Sequence, residues 1–274
     1  MKLEVYADAG AAARAAAGII AVEARSAAAA RGRFVMAVSG GRTSWLMLRA
    51  LAAEDVPWAR AHVAQVDERL APRGHPDRHL DALHEHLLDH TPMRAAQIAV
   101  MPVESSDPIA AAARYARVLA DLAGSPPVLD LVHLALGADG RTASLIPDDP
   151  VLDVTDRDVA VTGIHEGRRR MTLTYPILDR ARNFLWLVSG SDKTAMLARL
   201  RDGDRSTLVP GHSLFRTPSR CPSSRRRGAR SPSWPIPSSR SRRRPTATGP
   251  PSRWSRRRCA GPRPPPGARH WSSR

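Results

Sequence analysis

Short apolar runs of strand length alternate with helical stretches along most of this chain, and several runs stop at clusters of glycine, hydroxyl and charged residues. "FVMAV" (34–38) ends in "SGGRTS", "AHVAQV" (61–66) in "DERLAP", and "LDLVHLAL" (129–136) in "GADGRTAS". "QIAVMPV" (97–103), "DVAVTG", "RMTLTY" and "FLWLVSG" read as further strands, and "KLEVY" near the start is strand-like. Between them the letters predict an Ala-rich helix over 9–30, capped by Asp8, and helices over 45–54 and 108–123. Leu80, Leu83, Leu87 and Leu88 stand at helical spacing, a last helix falls near 191–201, and the letters after Gly140 also read as a helix. Strands alternating with helices predict an α/β fold, a mostly parallel sheet with helices on both faces. Ligands of such sheets bind beyond the carboxyl ends of the strands. Three polar clusters fall at those ends, which predicts a composite pocket.

Charge divides the chain in two. The formal charge is +16 over 274 residues, yet residues 217–274 hold sixteen arginines and no Asp, Glu or Lys. Residues 1–216 therefore balance all 26 acidic side chains with 26 basic ones. A neutral body offers no basic surface for nucleic acid. Both cysteines, Cys221 and Cys259, also lie beyond residue 216, so the body has neither a disulfide framework nor a Cys-based metal site. That suits a reducing cytoplasm. No signal peptide is evident and no apolar run approaches the roughly 20 residues of a spanning helix, so a soluble cytoplasmic protein without a membrane partner is expected.

The clusters carry the chemistry. Ser39, Gly40, Gly41 and Arg42 lie between a strand and a helix, where glycines let the backbone approach a phosphate and a helix N-terminus presents free N–H groups. The same letters also suit a plain strand–helix turn. Asp67, Glu68 and Arg69 read either as pocket lining or as a surface ion-pair cluster. Asp139 either caps a following helix or orients a reactive group while backbone N–H groups hold a developing oxyanion. In "RRRMTLTY" the arginines are expected to be solvated, with Arg168 available to a phosphate, and Lys193 is a point charge suited to an anion. His84, His86 and His90 share a helix without the rest of a metal-site pattern and read as surface residues.

Taken together, "AVSGGRTS", "VDERLAPRGHPDRHL", "LALGADGRTASLIP", "RRRMTLTYPILDRAR" and "LWLVSGSDKTAMLARL" resemble the glucosamine-6-phosphate isomerase/6-phosphogluconolactonase family, in family order over most of residues 1–210. The resemblance implies a Rossmann-like α/β fold and cytosolic hydrolysis of 6-phospho-D-glucono-1,5-lactone to 6-phospho-D-gluconate in the pentose phosphate pathway, with no metal or organic cofactor. Isomerase relatives carry Phe-Asn-Glu after their Asp-Gly-His turn; Ser144-Leu145-Ile146 here favours the lactonase branch. On this resemblance Ser39, Gly40, Gly41 and Arg42 bind the phosphosugar together with Gly137, and Lys193 or Arg168 is a further anion partner. Asp67 and Arg69 line the pocket, and Asp139, Gly140 and Arg141 form the reacting end.

The sequence departs from the family at that end. The family histidine, the proposed general base, is replaced by Arg141, His79 stands where Asn is usual, and Ser44 where Pro is usual. A guanidinium with a pKa above about 12 accepts no proton, so Arg141 is left to bind the phosphate or the oxyanion. A general base contributes about 10²–10⁴-fold. The expectation is a chain that binds the phosphosugar but hydrolyses it more slowly by that factor, and gains about a hundredfold or more from Arg141→His. His79 as a substitute base is the alternative.

Residues 217–274 are Pro/Ser/Arg-rich and expected to be disordered. Back-translated with G/C-ending codons and shifted by one base, "ARSPSWPIP" (229–237) becomes Ala-Leu-Ala-Val-Val-Ala-Asp-Pro, a strand-like peptide. The segment thus reads as a frameshifted translation. The competing reading is a non-specific nucleic-acid arm, with Trp234, Trp254 and Trp271 stacking on bases.

Overall fold

A computed structural model describes residues 2–202. The Arg-rich segment, with its expected disorder, its proposed frameshift, both cysteines and the tryptophans at 234, 254 and 271, lies outside the described residues. Asp8 caps the first helix as expected, its carboxylate accepting from Ala11 N at 2.7 Å. Helix α1 runs Ala9–Arg31 until Gly32, at φ +75°, turns the chain and donates its N–H to Ala28 O. Ala13, Ala16, Ala17, Ile20, Ala21 and Ala24 form its buried stripe and let it approach α2 (Arg42–Leu51) closely.

The strands are β1 (Phe34–Val38), β2 (Ala61–Gln65), β3 (Asp67–Arg69), β4 (Ile98–Ala99), β5 (Leu131–Leu134), β6 (Val159–Val161), β7 (Arg170–Leu173) and β8 (Phe184–Trp186). Helices α3 (His79–His86), α4 (Pro108–Ala123), α5 (Tyr175–Asp179) and α6 (Thr194–Asp202) are set among them. Five strands form a wholly parallel sheet in the order β4-β2-β1-β5-β8. It is buried on both faces: Phe34, Met36 and Val38 join one core with α1 and α2, while Val35 and Ala37 join the other with α4. The expected α/β architecture is therefore present.

The remaining strands depart from simple alternation. They form a second, antiparallel sheet in the order β3-β7-β6. "DER" is thus itself a strand rather than the loop at a strand end. Among the described residues "KLEVY" pairs with no strand, and it is exposed. "QIAVMPV" shrinks to two strand residues at the β4 edge, where Pro102 has no N–H to continue a ladder.

Register sets the functional rim. Val38 pairs with both Gln65 and His133, and Leu134 with Trp186. Strands β1, β2, β5 and β8 therefore end level, and the loops beginning at Ser39, Val66, Ala135 and Leu187 leave the sheet on one side.

Next to this rim, on β5, His133 is fully buried and neither ring nitrogen has a hydrogen-bond partner among the described residues. Burial lowers its pKa from 6.5 to about 4. Because the folded value lies below the unfolded one, the unfolded chain binds the extra proton first as pH falls. The stability this residue contributes is complete above pH 6.5 and is lost progressively down to about pH 4. His133→Leu is expected to flatten the dependence of melting temperature on pH across that window; an unchanged slope in thermal melts would count against it.

Candidate active site

The loop after β1 is shaped by glycine. Gly41, at φ +128°, begins α2 with no side-chain cap, leaving the first N–H groups of the helix open. Gly40 lies against the His79 imidazole, and a Cβ there would stand 2.5 Å from three ring atoms. Ser39 is buried and its hydroxyl has no partner among the described residues. Thr43 Oγ1 meets Ser189 Oγ at 2.5 Å, which ties this loop to the one after β8.

The small sheet supplies charge. Asp67 pairs across from Thr172 and Arg69 across from Arg170, so by strand periodicity these four side chains share a face. Two guanidinium groups directly opposite each other repel. Arg170 is 4% exposed. Its pKa is lowered first by burial, then by Arg69 and, less, by Arg141, while Asp67 and Glu166 oppose the shift. Three arginines thus act on one locus, against the buried carboxylate of Asp67 and the more exposed carboxylates of Glu166 and Asp139, which makes it rich in guanidinium donors for an anion. Asp67 is held by Ser144 Oγ, which donates to it at 2.6 Å, and faces His79 Nδ1 at 3.9 Å. The Arg69 guanidinium donates to His79 Nε2.

The loop after β5 is a closed turn. Gly137 N donates to Arg141 O at 2.8 Å, Gly140 N to Gly137 O at 3.1 Å, and Arg141 N to Asp139 Oδ1 at 3.2 Å. A Cβ on Gly137 would collide with Asp139 Oδ1 and reach 2.6 Å from Arg141 Cγ, so glycine lets the turn fold over itself. The helix expected after Gly140 is absent. Ala143 takes φ +52° and Thr142 bridges to Leu145, which breaks a helical hydrogen-bond ladder. Asp139 therefore caps a turn rather than a helix. Arg141 Nη1 reaches His165 Nε2 at 2.6 Å and stands 3.7 Å from carboxylate oxygens of Asp139 and Glu166.

Of the other expected residues, Lys193 lies on the turn before α6 and pairs with Asp192 at 2.7 Å. That hydrogen bond, with Arg42 adding to it, lowers the Asp192 carboxyl, so Arg42 and Lys193 flank one carboxylate. Arg168 is turned toward His75, at 2.7 Å, and Asp77, at 3.4 Å. The expectation of solvated arginines fails at Arg170, which the pairing with β3 buries. His86 is half-buried and stacks on Trp45, with ring centroids 5.9 Å apart. Among the described residues no group of three or more His, Cys, Asp or Glu is arranged to hold a metal ion, and no helix is long and apolar enough to cross a membrane.

Residues 7–220 match the family described as glucosamine-6-phosphate isomerases/6-phosphogluconolactonase. The chain belongs to this family. A 6-phosphogluconolactonase of Synechocystis is 39% identical, over 63% of this chain and 73% of that one. One from Pseudomonas aeruginosa is 32% identical, over 79% of this chain and 92% of the relative. The solved structure of 6-phosphogluconolactonase from Trypanosoma cruzi shares the fold, with a TM-score of 0.67, 23% identity and coverage of 76% and 87%. The Arg141 guanidinium is met by a histidine from another element. Sequence reasoning missed that His165 contact and the burial of Arg170. The one available signal was the R-M-T-L alternation at 170–173, which marks Arg170 as a strand residue.

Proposed function

We propose that this chain hydrolyses 6-phospho-D-glucono-1,5-lactone to 6-phospho-D-gluconate as a cytoplasmic step of the pentose phosphate pathway, with residues 1–216 as the functional domain. The names of its relatives support the substrate. The observation that carries the reading is the gathering of Arg69, Arg141 and Asp67 about Arg170, linked through His79 to the Ser39–Arg42 loop. In this reading Ser39, Gly40, Gly41 and Arg42 bind the phosphosugar, joined by Gly137 and by Lys193 or Arg168. Asp67 and Arg69 line the ring pocket. Asp139 and Gly140 hold Arg141 at the lactone carbonyl, where a fixed cation stabilises the oxyanion formed by water attack.

The test is release of 6-phosphogluconate from freshly made lactone, read by coupling to a dehydrogenase that reduces NADP, at several values between about pH 5 and 8. The expected result is a rate well above that of the lactone in buffer alone. A buffer-level rate at every pH refutes the reading, and retained calorimetric binding of 6-phosphogluconate would then leave a phosphosugar binder.

A further inference from the structure

Three arginine–imidazole contacts ring the site: Arg69 with His79, Arg168 with His75, and Arg141 with His165. A guanidinium only donates, so the ring nitrogen it meets is an unprotonated acceptor. His79 is wedged against Gly40 and Trp45, with Nδ1 enclosed, 3.9 Å from the Asp67 carboxylate and without a hydrogen-bond partner among the described residues. His75 is engaged at both nitrogens, Nε2 by Arg168 and Nδ1 by the Asp77 N–H. His165 has one consistent assignment: Nε2 accepts from Arg141 and Nδ1 carries the proton.

We propose that His165 is the general base of lactone hydrolysis and that Arg141 is its paired oxyanion donor. The inference deepens the proposed function and rests on it. Both partners are held by backbone. His165 N donates to Arg168 O at 2.9 Å and Arg168 N returns to His165 O at 3.2 Å. Glu166 at φ +51° and Gly167 at φ +75° form the two-residue turn between β6 and β7 that positions the ring. Arg141 is held by the turn that begins at Gly137.

The charges facing His165 are the Arg141 guanidinium and the Glu166 carboxylate, 3.8 Å from Nε2. Behind them, Asp139 stands 3.7 Å from Arg141, and Arg170 grips Glu166 at 2.5 Å. Burial works to raise the Glu166 carboxyl, but Arg141 and Arg170 outweigh it and hold it below its ordinary value, which makes it a poor base. Imidazole is the group that takes a proton near neutrality.

When the lactone carbonyl oxygen takes the Arg141 N–H, the lone pair of His165 Nε2 is freed for water. The water oxygen bonds to the carbonyl carbon as Nε2 takes one of its protons, and Arg141 holds the tetrahedral oxyanion. Collapse breaks the bond from that carbon to the ring oxygen. The ring oxygen takes the proton from the imidazolium, and the new acid ionises into solvent.

The test is kcat against pH in the full chain, with the uncatalysed rate subtracted. The native kcat is expected to rise along one limb with increasing pH, as the base loses its proton. His165→Gln should lower kcat by about 10²–10⁴-fold and abolish that limb. A His165→Gln variant that keeps the native rate and limb overturns the inference. An unchanged melting temperature shows the variant folded. If it does not fold, the native profile decides, and a flat one overturns the inference. A native chain with no lactonase activity overturns the functional reading itself and this inference with it.

Discussion

Glu68→Ala is expected to lower the stability of the fold by about 3–5 kcal/mol. Glu68 is fully buried, and its carboxylate accepts from Arg69 N, His79 N, Leu80 N and Gln65 Nε2, each at 2.9 Å. It also ion-pairs at 3.4 Å with Arg78, itself almost wholly buried. Helix α3 begins with Arg78 at its N-cap and no side-chain cap of its own. Glu68, from the neighbouring strand, does that work and fastens β3 to the first turn of α3. Alanine would orphan two helix N–H groups and leave the Arg78 guanidinium with Ala71 O, at 2.8 Å, and the exposed Glu104, at 3.5 Å. Removing one member of a buried pair is the costly case, because the remaining charge stays desolvated. Urea unfolding should show a lower midpoint at unchanged slope. Glu68→Gln keeps the shape and should cost less. A midpoint that does not move on substitution by alanine would mean the carboxylate does not fasten the two elements.

Legibility from sequence followed the range of the interactions. Helices α1 and α4 were readable because their signals are local: an aspartate at each N-cap and apolar or small residues at helical spacing. Strand β1 was readable because an apolar run bounded by glycines suits a strand buried on both faces. The segment after Gly140 was misread because its backbone groups bond across the turn, with Gly137 and Asp139, rather than along a helix. Arg170 was read as solvated because an arginine's default is water. Its burial follows from antiparallel pairing with Arg69, about a hundred residues earlier, and no local pattern encodes that pairing. His165 was invisible as a site residue for the same reason. Only the hairpin register brings it to Arg141, and a lone histidine between Ile164 and Glu166 carries no motif.

Arg141→Met is expected to lower kcat by about 10²–10³-fold while leaving KM nearly unchanged. The guanidinium sits at the mouth of the site, its side chain 28% exposed, with its position fixed by the turn that begins at Gly137. Its 2.6 Å partner, His165 Nε2, is a neutral acceptor, and the nearest carboxylates stand back at 3.7 Å. The donor can therefore pass to a substrate oxygen without separating a tight ion pair, which is what a group acting on developing charge requires. Methionine keeps the length of the side chain and removes the charge and the fork. If Arg141 served the phosphate instead, ground state and transition state would weaken together, so KM would rise and kcat would hold. The same variant tests whether lost activity is merely lost folding. Arg141 is among the groups that disfavour the charged form of the buried Arg170, after burial itself and Arg69. Removing it relieves that repulsion, so the melting temperature should hold or rise while turnover collapses. A parallel fall in both would mean that Arg141 supports the fold and not the reaction.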